Sequence, residues 1–305
     1  MRSVGLIYDD VFLKHETPDW HPESRERLVS IMNSLRSSEI WDALIHIKPR
    51  LASYEDIGLV HTPEYIERVR SFGKGYLDPD TYMSEGSLEA ALFAAGAVME
   101  AVDRCRRGEI ERAFCAVRPP GHHAEANRAM GFCIFNNVAI GARYARSLGY
   151  RKVFIVDFDV HHGNGTQHIF EEDDTVFYFS THQYPHYPGT GDLKERGKGR
   201  GEGYTANFPM AAGAGDKEYF AVYHDILPGL VHNFGPDIIL VSAGYDMHRA
   251  DPLAQISVSE EGIRNIVRNI VSSAPVPAIF ALEGGYDLEA LGRAVLITVR
   301  NLQRD

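Results

Sequence analysis

Cysteine is nearly absent from this chain, and what there is forms no framework. Three occur, Cys105, Cys115 and Cys133, at spacings that suit neither a zinc ribbon nor a disulfide set, so a reducing compartment is the natural setting. Basic charge is also short: 31 Lys and Arg stand against 42 Asp and Glu, a formal net charge of -11. No run of like charge forms a basic stripe, which argues against nucleic acid as a direct partner. No apolar run approaches membrane-spanning length, and residues 1–10 lack the basic start and long apolar stretch of a signal peptide. The expectation is a soluble, cytoplasmic protein with no membrane partner. There is no internal repeat, and the one Gly-rich basic segment, "KERGKGRGEGY" (194–204), reads as a surface loop because a strand follows it at once.

What is present is alternation. Short β-rich runs, "VGLIY" (4–8), "LIHI" (44–47), "AFCAV" (113–117), "KVFIV" (152–156), "TVFYF" (175–179), "YTANF" (204–208), "DIILVS" (237–242) and "AIFAL" (278–282), are separated by helical patterns at 23–36, 63–72, 86–107, 135–148, 217–233, 259–273 and 287–302. Seven or eight strands spaced by helices predict an α/β fold: a single domain over residues 1–305, with a mostly parallel sheet of about eight strands covered on both faces. With 44% hydrophobic residues, the 305-residue chain can fill such a core. Helix 86–107 carries Ala90, Ala91, Ala94, Ala97, Val98 and Ala101 at helical spacing, a small-residue face suited to close packing on a sheet.

The polar residues gather just after strands, in "RPPGHH", "DFDVHHG", "THQYPHYPGTGD", "AGYDMHRADP" and "EGGYD". In an open parallel sheet those loops meet beyond the carboxyl ends of the strands, where ligands bind in such folds. Asp157, Asp159 and His161 alternate in "DFDVH", so if strand geometry persists they share a side. An isolated Asp-x-Asp is most often a cap or a solvated loop. Directly after a buried strand, however, unpaired charges are costly without an ion. Asp159 and His161, with Asp251 of "HRADP" as a third hard ligand, form a donor set with an open position that suits catalytic Zn²⁺, and Fe²⁺, Co²⁺ or Mn²⁺ would accept the same donors.

The two imidazoles of "RPPGHH", His122 and His123, follow a Pro-Pro-Gly turn that can hold them at fixed angles. A neutral His beside an activated water is a natural general base and, once protonated, an acid for a leaving amine. Asp157 could orient one ring and Asn164 the other. Tyr286, after two glycines in "LEGGYD", would be a turn-flanking aromatic in isolation; beside a Lewis acid its hydroxyl could donate to an oxyanion.

These motifs, "RPPGHHA", "GFCIFNNVAIGARYA", "DFDVHHGNGTQ", "YPGTGD", "SAGYDMHRADPLA" and "EGGYD", resemble the zinc-dependent histone deacetylase family, of the arginase/deacetylase fold superfamily. The resemblance runs from "HPESRERL" (21–28) and "VHTPEYI" (60–66) to the C-terminal helix. It implies Asp159, His161 and Asp251 as zinc ligands, His123 as general base and acid, His122 paired with Asp157 as the electrostatic second imidazole, and Tyr286 as the polarising hydroxyl. Gly131, Phe132 and Tyr187 would wall a narrow tunnel for an acyl-lysine chain, with Pro22, Asp80 and Val258 near its rim. Backbone carbonyls of Asp157, Asp159 and His161, with Ser180, would hold a structural K⁺. Asn164 stands where the class I branch carries Asp and, with "YPGTGD", leans to the class II side. A neutral amide stabilises an imidazolium less than a carboxylate does, so His123 is expected to act mainly as a neutral base.

The implied reaction removes acetyl or short acyl groups from lysine side chains in proteins or peptides. A small-molecule amidohydrolase, acting on an acetylated polyamine or another small acetylated amine, is the nearest alternative; Val258 offers no acid to a second ammonium, whereas Asp80 and Glu85 are acids that could. A two-Mn²⁺ arginase-like site would need a further carboxylate-His bridge that is not found. A non-catalytic acyl-lysine-binding module is a third reading, against which the intact ligands, base and tyrosine weigh. A homo-oligomer is compatible with all of these.

Overall fold

Each of the eight apolar runs forms a strand, and all eight join one sheet. The computed structural model describes residues 2–304. Its strands are β1 (Val4–Ile7), β2 (Ile45–Ile47), the short pair β3 (Gly75–Tyr76) and β4 (Tyr82–Met83), β5 (Arg112–Cys115), β6 (Val153–Asp157), β7 (Val176–Gln183), β8 (Thr205–Met210), β9 (Ile238–Ala243) and β10 (Ala278–Leu282). The main sheet runs β2-β1-β5-β10-β9-β6-β7-β8, and every pairing in it is parallel. β3 and β4 form a separate antiparallel pair.

The helices are α1 (Glu26–Arg36), α2 (Tyr54–Ile57), α3 (Pro63–Phe72), α4 (Ser87–Arg106), α5 (Asn137–Ser147), α6 (Asn164–Phe170), α7 (Asp216–Phe220), α8 (Leu227–Phe234), α9 (Glu260–Ser272) and α10 (Leu288–Leu302). Two layers of them cover the sheet, because alternate strand residues point to opposite faces. In β5 the Cys115 thiol reaches the Ala97 carbonyl of α4, while the Arg112 guanidinium reaches the Leu302 carbonyl at the end of α10 on the other side. The alanine face of α4 lets α5 approach closely, and a Cβ on Gly141 would sit 2.4 Å from Val98. The strands between the layers are buried on both faces; Val153, Phe154, Ile155 and Val156 of β6 are each 0% exposed, worth about 1.5–3 kcal/mol apiece relative to exposure.

Strand order places the chemistry. From β5 the chain crosses to β6, runs outward through β7 and β8, and only then fills the gap with β9 and β10. The five strands that lead into the polar motifs, β5, β10, β9, β6 and β7, are therefore consecutive neighbours in the sheet, and their loops meet at its carboxyl edge, the usual ligand position in such folds. A second apolar cluster, including Ile57, Tyr65, Leu77, Met83, Ile134 and Phe135, braces the β3–β4 pair beside that edge. Among the described residues, no helix is long and apolar enough to cross a membrane.

One predicted helix is interrupted. The pattern at 217–233 reads as continuous, yet Ala221–Ile226 winds in wider π turns between α7 and α8. Pro228 stands in the first turn of α8; having no N–H, it cannot continue an α ladder from the preceding turn.

Candidate active site

β6 ends at Asp157, so strand alternation does not carry through to His161. Convergence is achieved instead by a tight turn. The Asp159 N–H donates to Asp157 Oδ1 at 3.2 Å and the His161 N–H to Asp159 Oδ1 at 2.9 Å. His161 Nδ1 then lies 3.1 Å from Asp159 Oδ1 and 3.1 Å from Asp246 Oδ2. Asp159, His161 and Asp246, all buried, are the one cluster among the described residues whose potential ligand atoms lie within 4.8 Å of one another.

The expected third ligand, Asp251, is not in this group. Its Oδ2 accepts from the Tyr286 and Asp287 N–H groups at 2.6 and 3.3 Å, and its Oδ1 from Leu253 N–H at 3.0 Å. That carboxylate is committed to tying two loops together. Asp246 takes its expected place, three residues beyond the end of β9, its Oδ1 held by the Val160 N–H at 2.9 Å. Gly284 lets the β10 loop close over both acids: its N–H donates to Asp159 Oδ2 at 2.8 Å, and a Cβ there would fall 2.1 Å from Asp246 Oδ2.

The donor set fits a divalent cation. Burial, then the charge of Asp159, pushes Asp246 up to about 7, a repulsion that a dication between the two carboxylates would relieve. Two carboxylates and one imidazole suit a borderline metal that keeps an open position.

The imidazole pair divides its roles. His122 Nδ1 lies 3.0 Å from Asp157 Oδ2, which also accepts from the Tyr178 hydroxyl at 3.1 Å. Burial alone would lower the His122 pKa, but the charges of Asp157, Asp159 and Glu283 overcome it and raise it to about 10, so His122 is cationic at neutral pH. His123 Nδ1 lies 2.7 Å from Asn164 Oδ1. Burial, then the charges of His122 and His161, hold His123 well below its ordinary value, so it is neutral and a proton acceptor. Glu283, part of "EGGYD" but not singled out by sequence, fixes the backbone under the pair by accepting from the Gly121 and His122 N–H groups at 2.7 and 3.2 Å.

Tyr286 follows that same turn, and burial raises its pKa well above the ordinary value; it stays a hydroxyl. Its ring stands edge-on to Phe132 at 6.0 Å and under the Arg27 guanidinium at 5.0 Å. Arg27 donates to the Gly285 carbonyl at 2.7 Å and to the Glu283 carbonyl, and Glu23 pairs with both Arg27 and Arg118 in the interior. Glu23 and Arg27 fall within "HPESRERL" and are four residues apart, but their service to the site is not visible locally, because Arg118, Glu283 and Gly285 lie far along the chain.

These groups line one cavity of about 250 Å³, whose walls include His122, His123, His161, Gly131, Phe132, Tyr187, Asp80 and Tyr286. Phe132 holds a positive φ of 68°, fixed by a bond from its N–H to the Thr81 hydroxyl at 3.2 Å. Asp80 latches two walls, accepting from the Gly131 N–H at 2.9 Å and the Tyr187 hydroxyl at 3.0 Å. Pro120, His186 and Leu253 also line the space and were not anticipated. Val258 is placed differently from the expectation. It is 0% exposed and bridges the His248 backbone, so it packs in the core behind the Asp251 loop and does not line the cavity. Glu85 is exposed outside the cavity. Asp157 and Ser180 face each other across β6 and β7, both buried, with the Ser180 hydroxyl 2.8 Å from His182 Nδ1.

Residues 21–302 match the histone deacetylase domain. A protein named as a probable deacetylase from Archaeoglobus fulgidus is 40% identical over 94% of this chain and 82% of its own length, and another from Methanothermobacter thermautotrophicus is 43% identical over 92% and 86%. The human polyamine deacetylase HDAC10 is 36% identical over 100% of this chain, which spans only 47% of that protein. The crystal structure of the HDA15 HD domain superposes with a TM-score of 0.94 at 36% identity, covering 99% of this chain and 91% of that one. The fold is thus the arginase/deacetylase fold. A domain match over nearly the whole length, carried by relatives of this similarity, makes this chain a member of the histone deacetylase family.

Proposed function

We propose that this deacetylase-family chain is a metal-dependent amidohydrolase that removes an acetyl or similarly short acyl group from a lysine side chain. The observation that carries the reading is a cavity lined by His123, His161 and Tyr286, behind which Asp159 and Asp246 join His161 in one cluster of potential ligand atoms. A divalent ion held by those three residues, Zn²⁺ first with Fe²⁺ or Co²⁺ as alternatives, would supply Lewis-acid polarisation of the amide carbonyl and of water. His123 Nε2 takes the proton from water and delivers it to the departing amine. Tyr286 donates to the acyl oxygen as negative charge builds there, and cationic His122, balanced by Asp157, adds a fixed positive charge nearby. Phe132 and Tyr187 hold the methylene stem between aromatic faces without demanding hydrogen bonds. Two carboxylates against a 2+ ion leave the site near neutral, which favours a neutral acyl group. A structural K⁺ would take oxygens of Asp157, Asp159, His161 and Ser180; the buried pairing of Asp157 with Ser180 supports that placement.

Turnover of an acetyl-lysine peptide and of N-acetylputrescine, each with and without a chelator, tests the proposal. Chelator-sensitive release of acetate from the peptide is expected. Turnover of the polyamine alone would move the substrate to small amines, and no metal-dependent turnover of either would overturn the reading.

A further inference from the structure

Glu125 follows the histidine pair and sits apart from the cavity, yet it is 7% exposed and turned inward. Its side chain meets one face of α6, where Asn164 and His168 lie a helical turn apart. The Asn164 amide Nδ2 donates to Glu125 Oε1 at 2.6 Å. His168 Nδ1 lies 2.9 and 3.1 Å from the two carboxylate oxygens, and Arg128 stands 3.7 Å from Oε1. The other amide atom of Asn164, Oδ1, lies 2.7 Å from His123 Nδ1. The chain of contacts therefore runs from the surface-facing His168 through Glu125 and Asn164 to His123.

The direction of every bond in that chain follows from one fact: an ionised carboxylate can only accept. An isolated Asn could present either its oxygen or its nitrogen to the imidazole. Facing Glu125, it must turn Nδ2 outward and Oδ1 inward. His123 must then carry its proton on Nδ1, which leaves the Nε2 lone pair as the free acceptor. The hydrogen bond that His168 makes to the Glu125 carboxylate is the largest cause raising the His168 pKa.

We propose that Glu125 is a positioning residue: its carboxylate sets the orientation of the Asn164 amide and, through it, the His123 tautomer that leaves Nε2 free to take a proton. The proposal rests on His123 as the base, and its test separates the two. Glu125→Ala removes both the bond and the charge. Glu125→Gln keeps the shape but allows the Asn164 amide to turn over. Asn164→Asp alone places two carboxylates against each other, whereas Asn164→Asp with Glu125→Gln moves the charge one residue inward and restores a donor–acceptor match.

Expected for the metal-loaded enzyme are a kcat lowered about tenfold or more in Glu125→Ala with KM nearly unchanged, a smaller loss in Glu125→Gln, and a double variant more active than Asn164→Asp alone. Two-bond ¹H–¹⁵N spectra of the imidazoles, with His123 assigned by its loss in His123→Phe, supply a readout independent of turnover. The wild type is expected to show the proton on Nδ1 and Glu125→Ala a mixture of tautomers. Wild-type kcat and an unmixed Nδ1–H tautomer in a folded Glu125→Ala protein would overturn the proposal, as would a double variant no better than Asn164→Asp. If His123→Phe retains full turnover the catalytic reading fails instead, and the tautomer spectra still decide what Glu125 does.

Discussion

Asp246 and Asp251 belong to one loop and differ in what their oxygens already hold. Asp251 accepts three backbone N–H groups from two segments, while Asp246 Oδ2 meets only His161. Asp246→Ala is expected to lose metal together with activity, because two protein ligands grip a catalytic ion poorly. Asp251→Ala is expected to keep most of its metal, to lose about 1–3 kcal/mol of stability from orphaned donors, and to loosen Tyr286. Elemental analysis decides, and full occupancy in Asp246→Ala would refute the assignment. Tyr286→Phe retains the ring packed on Phe132 and Arg27, so melting should not change. Its kcat is expected to fall by about a hundredfold, with KM little affected, since the hydroxyl acts on developing charge; equal kcat where chemistry limits turnover would make Tyr286 a structural residue. At this scale the sequence displayed residue types but not their commitments. His123, His161 and Tyr286 were legible because each lies in a polar loop that leads away from a buried strand. Asp246 lies in such a loop too, but it shares that loop with Asp251, and residue type alone does not separate the two carboxylates.

Among the elements, the strands were readable throughout, since a run such as Phe154–Val156 buried on both faces has no polar position to blur it. The patterns at 63–72, 259–273 and 287–302 form α3, α9 and α10, which begin at the side-chain caps Thr62, Ser259 and Asp287. α6 has no such pattern: glycines at 163 and 165 weaken any helical signal, and the segment is held by its bonds to the histidine loop. The turn at 131–132 is the element on which the cavity wall depends. Gly131 has φ 56°, and a Cβ there would lie 2.3 Å from the His123 ring. Gly131→Ala is therefore expected to displace His123 and depress kcat, visible as a changed His123 imidazole signal; an unaltered kcat and spectrum would show that the turn yields elsewhere. Phe132→Ala is expected to weaken binding of a lysine-stem substrate more than that of a small acetate ester, at unchanged metal content. Equal losses on both, with a lower melting temperature, would make the residue packing alone.

For the whole molecule, pH is a probe of how the interior was assembled. His61 is 2% exposed, accepts the Asn136 N–H on Nε2 at 2.9 Å and lies with Nδ1 3.0 Å from the Glu125 carbonyl, an arrangement only the neutral ring satisfies. Burial pushes its pKa down to about 4. The folded value lies below the unfolded one, near 6.5, so the contribution is complete above 6.5 and is lost as pH falls from there toward 4, about 3 kcal/mol in all. Denaturant unfolding at pH 7, 6 and 5 should show stability declining, and a His61 ring proton that titrates near 6.5 in the folded protein would contradict the account. His61 also marks the boundary between the two sources of information. Hydrophobic periodicity, turn residues and the placement of charge after strands are local properties, so the sequence by itself determined the parallel α/β architecture, the edge where chemistry gathers and most of the groups found there. Strand order, the grouping of Asp246 and not Asp251 with Asp159 and His161, the burial of Val258 in the core and the contacts of Glu283, Arg27 and Glu125 were decided only in three dimensions. The polar contacts depend on which distant backbone donor or opposite charge each group meets, strand order and the place of Val258 on which distant apolar surfaces come together, and both are set by the packing of the folded sheet.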